Sequence, residues 1–389
     1  MKNILDTLNL RELGKELQLA RNKKGLTQEE AAAVIEVART TLTAIEQGKR
    51  RLKPSELIKL ARAYNCQVHD LVRSRPQIEP FQVQFRGSQQ PSEADKQLIQ
   101  GSIDLLAEVS RNYLELEQLI GVGQIQNYPP SYKMSGLSYK EAAEHIAQKE
   151  RYRLGLGDGP IYNLRNILEQ DVGLRIFYLE MQPSQHFSGM YHFDEQLGGC
   201  IAINCLHPVE RRNYSLTHEY WHFLVDRYAP SVSYYNYQER LADSFASYFL
   251  MPTDGLKRHY NDLKQAQGKI TPIDLLTMAN YYGVSFEAFL NRLLDLALIS
   301  PSIKDKLIRG ISIRQTQQDM GLNLERERPE KFPVRYLYLA VQAWDRHLIT
   351  EGQLAHYLQL SRVEAREVVE KIHEEYAIEW FDLLENIMA

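Results

Sequence analysis

The residues with the clearest chemical potential are two histidines four positions apart, in the run His218-Glu219-Tyr-Trp-His222. In an α-helix this spacing puts both imidazoles on one face, where each can direct a ring nitrogen at the same metal ion. Glu219 lies about 100° further round the helix, so its carboxylate can reach a water on that ion without ligating it. The pattern predicts a zinc site with Glu219 as general base.

Glu239 is the predicted third ligand, because two histidines leave a tetrahedral site incomplete. It lies 17 residues after His222 and is predicted to open a second helix, Glu239 to Leu250. The small Ala242 and Ala246 on the core face of that helix would allow close approach to the first helix. Two histidines and one glutamate, with one position open for water, form the pattern of a catalytic rather than a structural zinc site.

The predicted secondary structure around these residues changes along the chain from helices to short strands and back to helices. Helical periodicity dominates residues 10–73 and 92–121, and helices are predicted again from Pro208 to about Asp295 and after Pro333. Between them lie three short segments rich in β-branched and aromatic residues, which predict a small sheet: Leu174–Leu179, Phe187–Phe193 and Cys200–Asn204. The predicted fold class is α+β, with an all-α head, an α+β middle with a small sheet, and a mainly helical C-terminal region.

Composition and charge limit the function classes. The chain has 389 residues, 44% of them hydrophobic, which is enough for two or three domains with their own cores. Its apolar runs are far shorter than a membrane helix needs, and its start lacks the apolar stretch of a secretory signal. Three cysteines without metal-finger spacing are expected to be free thiols (Cys66, Cys200 and Cys205). These observations predict a cytoplasmic protein with no membrane partner.

The charge is distributed unevenly. Residues 1–75 hold 15 Lys and Arg against 9 Asp and Glu, a net of +6, in a chain whose formal charge is −4; the remainder therefore carries −10. A basic head on an acidic body predicts that any nucleic-acid contact lies in the first 75 residues.

Residues 140–300 resemble the ImmA/IrrE family of zinc metallopeptidases, which have gluzincin-type centres. The matching segments are Gly159-Pro-Ile-Tyr-Asn-Leu, Gly173-Leu-Arg-Ile, Gly189-Met-Tyr, Ile201-Ala-Ile-Asn204, Arg211 to His222, Glu239 to Pro252 and Val284 to Leu294. By position, the resemblance implies Zn²⁺ ligation by His218, His222 and Glu239, with Glu219 as the general base. It also implies that an edge strand pairs with an extended substrate, and the residues of that strand would be Ile201, Ala202, Ile203 and Asn204.

Two features of this region stay open at the sequence level. Tyr220 and Trp221 stand where the family commonly has Leu-Gly, and such bulky side chains could narrow the cleft. Stabilisation of the oxyanion has five candidates that the sequence does not separate: Tyr214, Tyr234, Tyr235, Tyr237 and His192.

The head has the layout of a helix-turn-helix. Thr27 with Glu30 three residues later predicts a capping box at the start of a second helix, and a third helix is expected from Ala38 to Gln47. The segment from Gly25 to Gly48, extending through Leu71, resembles the XRE (Cro/CI-like) family. By position, the resemblance implies base contacts from Arg39, Thr40 and Thr43, and phosphate contacts from Gln28, Lys49, Arg50 and Arg51.

Two departures from that family pattern flank the turn of the head. Glu36 occupies a position that often holds glycine and suits positive φ, and Ala38 replaces a capping Ser or Thr, at a cost of roughly 1 kcal/mol. The alternative interpretation of the head is a helical bundle that docks a protein or dimerises without binding DNA.

The predicted boundaries are a helix-turn-helix head (1–75), a linker with a long helix (76–139), a peptidase domain (140–300) and a helical C-terminal domain (301–389). In the last, Thr350 and Ser361 are predicted to cap successive helices. The mixed charges from Arg362 to Glu375 are unfavourable for a phosphate surface, and favour a packing or sensing role.

These features together predict a DNA-binding regulatory zinc metalloendopeptidase. It would bind double-stranded DNA and cleave a specific protein, such as an XRE-type repressor or an antitoxin, in a mobile-element, stress, toxin-antitoxin or phage-defence setting; a homodimer is a further possibility. The alternative is an XRE-type transcriptional regulator whose peptidase-like domain is a sensor or interaction platform without turnover. A digestive protease fits poorly with the DNA-binding head.

Overall fold

The computed structural model describes residues 9–66, 68–72, 93–130, 132, 137–182, 187–227, 235–310, 316, 317, 319 and 329–374. Contacts divide the chain into two compact units, Met1–Gln77 and Ile78–Ala389. Within the described residues, no helix is long and apolar enough to cross a membrane.

The first unit is a bundle of five helices: α1 (Leu10–Lys23), α2 (Gln28–Val34), α3 (Arg39–Glu46), α4 (Pro54–Tyr64) and α5 (Val68–Val72). The expected capping box is present, because the Thr27 hydroxyl accepts from the backbone of Glu30 while the Glu30 carboxylate accepts from that of Thr27. The apolar faces meet in one core that includes Leu17, Leu42 and Leu60.

A buried ion pair joins the first and third helices of the head. The Arg21 Nε lies 2.6 Å from Oε1 of Glu46, and both side chains are almost fully buried. The Glu46 carboxylate also accepts from Gln28 at 2.9 Å, so α1, α2 and α3 share one polar network. Removing either Arg21 or Glu46 would leave the other charge buried without compensation.

The second unit contains a small sheet and many helices. The sequence order is α6 (Glu93–Ile120), α7 (Tyr139–Arg153), α8 (Leu164–Ile167) with a π-helical turn (Leu168–Val172), β1 (Arg175–Leu179), β2 (Gly189–Asp194), β3 (Gly198–Asn204), α9 (Val209–Asp226), α10 (Tyr235–Leu250), α11 (Thr253–Gln267), α12 (Pro272–Tyr281), α13 (Phe286–Asp295), α14 (Pro301–Gly310), α15 (Val334–Asp345) and α16 (Glu351–Leu358). Residues 362–374 are also helical. The expected α+β class is confirmed.

The sheet order is β1-β3-β2, which corrects one prediction. The segment Ile201 to Asn204 was expected at an edge, but it belongs to β3, the central strand. Its backbone pairs in parallel with β1 and antiparallel with β2. A strand with neighbours on both sides has no free row of backbone groups, so this segment cannot add a substrate strand. The edge strand beside α9 is β2.

Each face of the sheet is covered by helices. One core cluster packs side chains of the sheet such as Ile176, Ile201 and Ile203 against α7, α9 and α10. The other packs Phe177, Cys200 and Ala202 on the opposite face. A sheet buried on both faces explains why β1 and β3 read as continuous apolar runs rather than as alternating ones.

The C-terminal helices belong to that second core cluster. Tyr336 of α15 and Tyr357 of α16 are fully buried beside residues of α6. The buried carboxylate of Glu117 on α6 is bound by Arg175 of β1 at 2.6 Å and by Arg335 of α15. The structure therefore groups residues 334–372 with the sheet, where the sequence placed a separate domain from 301. The packing or sensing role preferred from the sequence stays a prediction.

Candidate metal centre

The predicted ligands converge in the structure. One potential donor atom from each of His218, His222 and Glu239 lies within 4.8 Å of the others. Each histidine directs Nε2 at the glutamate, with Nε2–Oε distances of 3.4 Å in both cases. The two histidines come from α9 and the glutamate from α10.

An aspartate carboxylate lies within hydrogen-bond distance of the Nδ1 atom of each of the two histidines. The Nδ1 atom of His218 lies 2.8 Å from Oδ1 of Asp243, and the Nδ1 atom of His222 lies 2.7 Å from Oδ2 of Asp226. Because a carboxylate only accepts hydrogen bonds, the ring proton of each histidine belongs on Nδ1. This tautomer leaves the Nε2 lone pair facing Glu239, which is the state that a metal requires. The residues therefore fit a divalent ion of the zinc type.

The two aspartates were missed as partners of the histidines in the sequence. Asp226 lies four residues after His222 and Asp243 four residues after Glu239. The first spacing was a usable signal, because residues i and i+4 share a helix face. The second was not, because it depends on how α10 packs against α9.

Helix α10 begins earlier than expected, at Tyr235 rather than at Glu239. Glu239 consequently lies in its second turn, where the backbone is fixed by helical hydrogen bonds. The expected core face is present: Ala242 and Ala246 are fully buried. Such small side chains permit a close approach of the two helices.

Tyr220 and Trp221 do not narrow the site, contrary to the concern raised by the sequence. Both are fully buried on the side of α9 that faces the core. Trp221 packs on Phe245, with ring centroids 5.4 Å apart. The Tyr220 hydroxyl donates to the buried carboxylate of Glu150 and accepts from Arg153 at 3.0 Å.

The proposed base, Glu219, is buried against strand β2. A Cβ atom added at Gly189 would lie 2.7 Å from Oε1 of Glu219. The start of the edge strand and the glutamate are therefore in direct contact. The general-base role stays a prediction.

The oxyanion candidates separate by position. His192 projects from β2 with the parity of Met190, towards the second core cluster, whereas Gly189 faces Glu219. Alternation along a strand therefore puts His192 on the wrong face of the sheet, and this candidate is corrected. Burial lowers its pKa to about 4.

Among the tyrosines, Tyr214 donates its hydroxyl to the backbone carbonyl of Asp243 at 2.9 Å, which ties α9 to α10. Tyr237 is partly exposed and lies about 200° round α10 from Glu239. Tyr234 lies outside the described residues, as does the side chain of Tyr235.

The four residues expected to bind substrate have structural roles instead. Ile201 and Ile203 lie in one core cluster and Ala202 in the other. The Asn204 amide donates to the carbonyls of Met181 and Phe187, both at 2.9 Å. All four side chains are fully buried.

In the head, Arg39 and Thr40 are exposed at the start of α3, as base contacts require. The Thr43 hydroxyl lies 3.0 Å from the backbone oxygen of Arg39 and 3.2 Å from Oε1 of Gln28, and its single proton can be donated to only one of them at a time. At the end of α3, Lys49 and Arg51 are exposed. Arg50 differs from them, because its guanidinium donates twice to the Glu56 carboxylate, at 2.9 and 3.1 Å.

Comparison with known families gives two matches. Residues 17–71 match the family described as "Helix-turn-helix", and residues 169–294 match the "IrrE N-terminal-like domain", a peptidase family. The chain joins an XRE-type helix-turn-helix domain to an IrrE/ImmA-like domain. The two matches support a regulatory DNA-binding protein with a metallopeptidase-like domain. No curated protein matches the chain.

Among solved structures, the chain is similar to PlcR of Bacillus thuringiensis, crystallised with the peptide PapR7 and DNA. The identity is 12% over 97% of this chain and 99% of that chain, with a TM-score of 0.18. ComR from Streptococcus suis matches at 13% identity over 95% and 96%, with a TM-score of 0.16. TM-scores this low do not establish a shared fold.

Proposed function

We propose that this protein is a DNA-binding regulatory zinc metalloendopeptidase that cleaves a specific protein. The observation that carries the proposal is the convergence of His218, His222 and Glu239, with Glu219 next to His218 on the same helix. A scaffold without turnover needs no carboxylate next to the three ligands. The function of a sensor or interaction platform would leave Glu219 without a chemical task.

Each side chain of the centre then has a role. A zinc ion bound by the three ligands would supply a Lewis acid that activates water and polarises a peptide carbonyl. Glu219 would take the proton of the attacking water on its carboxylate and transfer it to the leaving amine. Asp226 and Asp243 would keep both imidazoles in the tautomer that binds the ion.

The edge strand β2 supports binding of an extended peptide. Its inner side pairs with β3, and its first residue lies against Glu219. A substrate segment that added to the outer side would run past the metal centre. Backbone pairing of this kind gives affinity with little dependence on side chains, so selectivity would come from delivery of the substrate.

We propose that the head provides this delivery by binding DNA near the substrate. An XRE-type repressor bound at the same promoter, or an antitoxin with such a domain, is a suitable protein. Arg39 and Thr40 would contact bases, and Lys49 and Arg51 would contact phosphates, because these side chains are exposed. Arg50 is a weaker candidate, because two of its guanidinium N–H groups already pair with the Glu56 carboxylate.

The experiment that tests the peptidase is co-expression of the protein with the product of the neighbouring open reading frame. The wild type is expected to cut that product, whereas Glu219→Gln is expected to leave it whole while keeping the metal. Gln has the size of Glu but cannot accept the proton. Equal cleavage by both forms would contradict the role of Glu219, and no cleavage by either, with zinc bound, would favour the platform alternative.

A further inference from the structure

Gly189 is the first residue of β2, and its missing side chain leaves the space that Glu219 occupies. A Cβ atom there would lie 2.7 Å from Oε1 and 3.1 Å from Cγ of Glu219, and 3.0 Å from Cδ1 of Ile203. Real Cβ atoms essentially never approach other heavy atoms to 2.7 Å. The Glu219 side chain therefore lies directly against the Gly189 backbone.

The backbone itself does not require glycine at this position. Gly189 is not among the residues with positive φ, so an L side chain could adopt its conformation. Its strand is also firmly anchored, because Gly189 pairs with Ile203 and Asn204 donates to the carbonyl of Ser188 at 3.0 Å. The strand has little freedom to withdraw. A side chain at 189 would instead displace the flexible end of Glu219.

We propose that Gly189 is a positioning residue for the reaction, and that its lack of a side chain sets where the Glu219 carboxylate lies. This inference rests on the proposed function. It adds that the edge strand β2, together with α9, fixes the position of the general base Glu219. Ile203, expected from the sequence to contact substrate, instead packs its Cδ1 atom against Gly189 next to Glu219. The angle of the carboxylate towards the metal side is then determined by β2 as well as by α9.

The chain offers a matched control in Gly199 of β3. A Cβ atom there would lie 2.5 Å from Cδ2 of Leu174 and 2.9 Å from Cδ2 of Phe223. Gly199→Ala therefore produces a clash of similar severity in the same sheet, but against core side chains and not against Glu219. It reports what a purely structural defect does.

The test uses the full chain loaded with Co²⁺ and acetohydroxamate as a probe, with binding followed by visible absorption. A hydroxamate on the ion would donate a hydrogen bond to the Glu219 carboxylate. Gly189→Ala is expected to weaken acetohydroxamate binding by about tenfold, the loss of one charge-assisted hydrogen bond, while Co²⁺ affinity stays within about twofold of wild type. Gly199→Ala is expected to bind the probe like the wild type.

A double variant separates positioning from general damage. Asp is one methylene shorter than Glu, so Glu219→Asp should cost probe affinity in the wild type but little or nothing further in Gly189→Ala. Additive effects, or wild-type binding by Gly189→Ala, would overturn the proposal, as would a Co²⁺-loaded wild type that does not bind the probe. If no protein is cleaved but the effects of Gly189→Ala and Glu219→Asp on probe binding are non-additive, the peptidase function fails. The positioning of Glu219 by Gly189 then still stands.

Discussion

The two aspartates behind the histidines should differ in their effect on zinc affinity, because they differ in exposure. The side chain of Asp226 is 8% exposed and that of Asp243 is 58% exposed. Loss of the partner of a metal-binding histidine typically costs about 10- to 100-fold in affinity. The contact of Asp243 with the neutral His218 ring is a hydrogen bond that water screens, and like an exposed ion pair it is worth at most about 1 kcal/mol, or about fivefold. Asp226→Asn should therefore raise the Kd for zinc at least about tenfold, and Asp243→Asn less than about fivefold.

The assay is competition for zinc between the full chain and a chromophoric chelator at neutral pH. Asp305→Asn provides the control, because Asp305 is an exposed acid on α14, an element that contributes no ligand. This variant should leave the Kd for zinc unchanged, which would show that the loss of one negative charge does not by itself weaken zinc binding. Equal Kd values for Asp226→Asn and Asp305→Asn would refute the argument that the buried carboxylate fixes the tautomer of His222.

Three further predictions concern the turn, the DNA surface and a buried acid. Glu36 has a φ of 59°, so Glu36→Gly should raise the free energy of unfolding of the head by about 0.5–1 kcal/mol, whereas Glu29→Gly inside α2 should lower it by about 1 kcal/mol. Arg39→Ala should weaken binding to the DNA upstream of the protein's own gene by about 1–3 kcal/mol, and Arg50→Ala by less, in mobility-shift titrations. Burial raises the pKa of Glu169 from 4.5 to about 7. The folded chain therefore keeps a proton that the unfolded chain releases. The free energy of unfolding should fall by up to about 3 kcal/mol as the pH rises from 4.5 to 7. Glu169→Gln should abolish this dependence on pH.

Each of these has an outcome that would contradict it. Glu36→Gly also removes an exposed ion pair with Lys59, at 2.8 Å, so the reference is Lys59→Ala. A larger destabilisation by Glu36→Gly than by Lys59→Ala in urea unfolding would mean that the turn is not strained. Equal losses for Arg39→Ala and Arg50→Ala would argue against α3 as the reading helix. A pH slope that persists in Glu169→Gln, measured by denaturant unfolding between pH 4.5 and 7, would assign the proton to another group.

The convergence of two of the candidate metal ligands could be predicted because their geometry is local. His218, Glu219 and His222 share one helix, so spacing alone fixes which side chains converge. The same holds for helix starts, because Thr27 and Thr350 cap the expected helices. The capping box expected at Thr27 is present, and Thr350 forms a further one with Gln353. Glu239 was predicted from the resemblance and the pattern of its helix, although the helix begins one turn earlier.

The features that the sequence did not predict depend on contacts between distant segments. A short apolar strand has the same sequence pattern at the centre of a sheet as at its edge, so the strand order β1-β3-β2 could not be predicted. For this reason Ile201 to Asn204 were wrongly expected in an edge strand. Tyr220 could not be assigned to the core before its partner, Glu150, was known from the packing of α7. The contact between Gly189 and Glu219 has no signature in either segment alone.

The most direct test of the central claim is the metal content of the full chain and two variants, measured by elemental analysis after purification without chelators. The wild type and Glu219→Gln are each predicted to hold one equivalent of zinc, because Glu219 lies beside the ion and is not a ligand. His222→Ala is predicted to hold well below one equivalent. Loss of zinc in Glu219→Gln, or full retention in His222→Ala, would contradict the assignment of ligands and base.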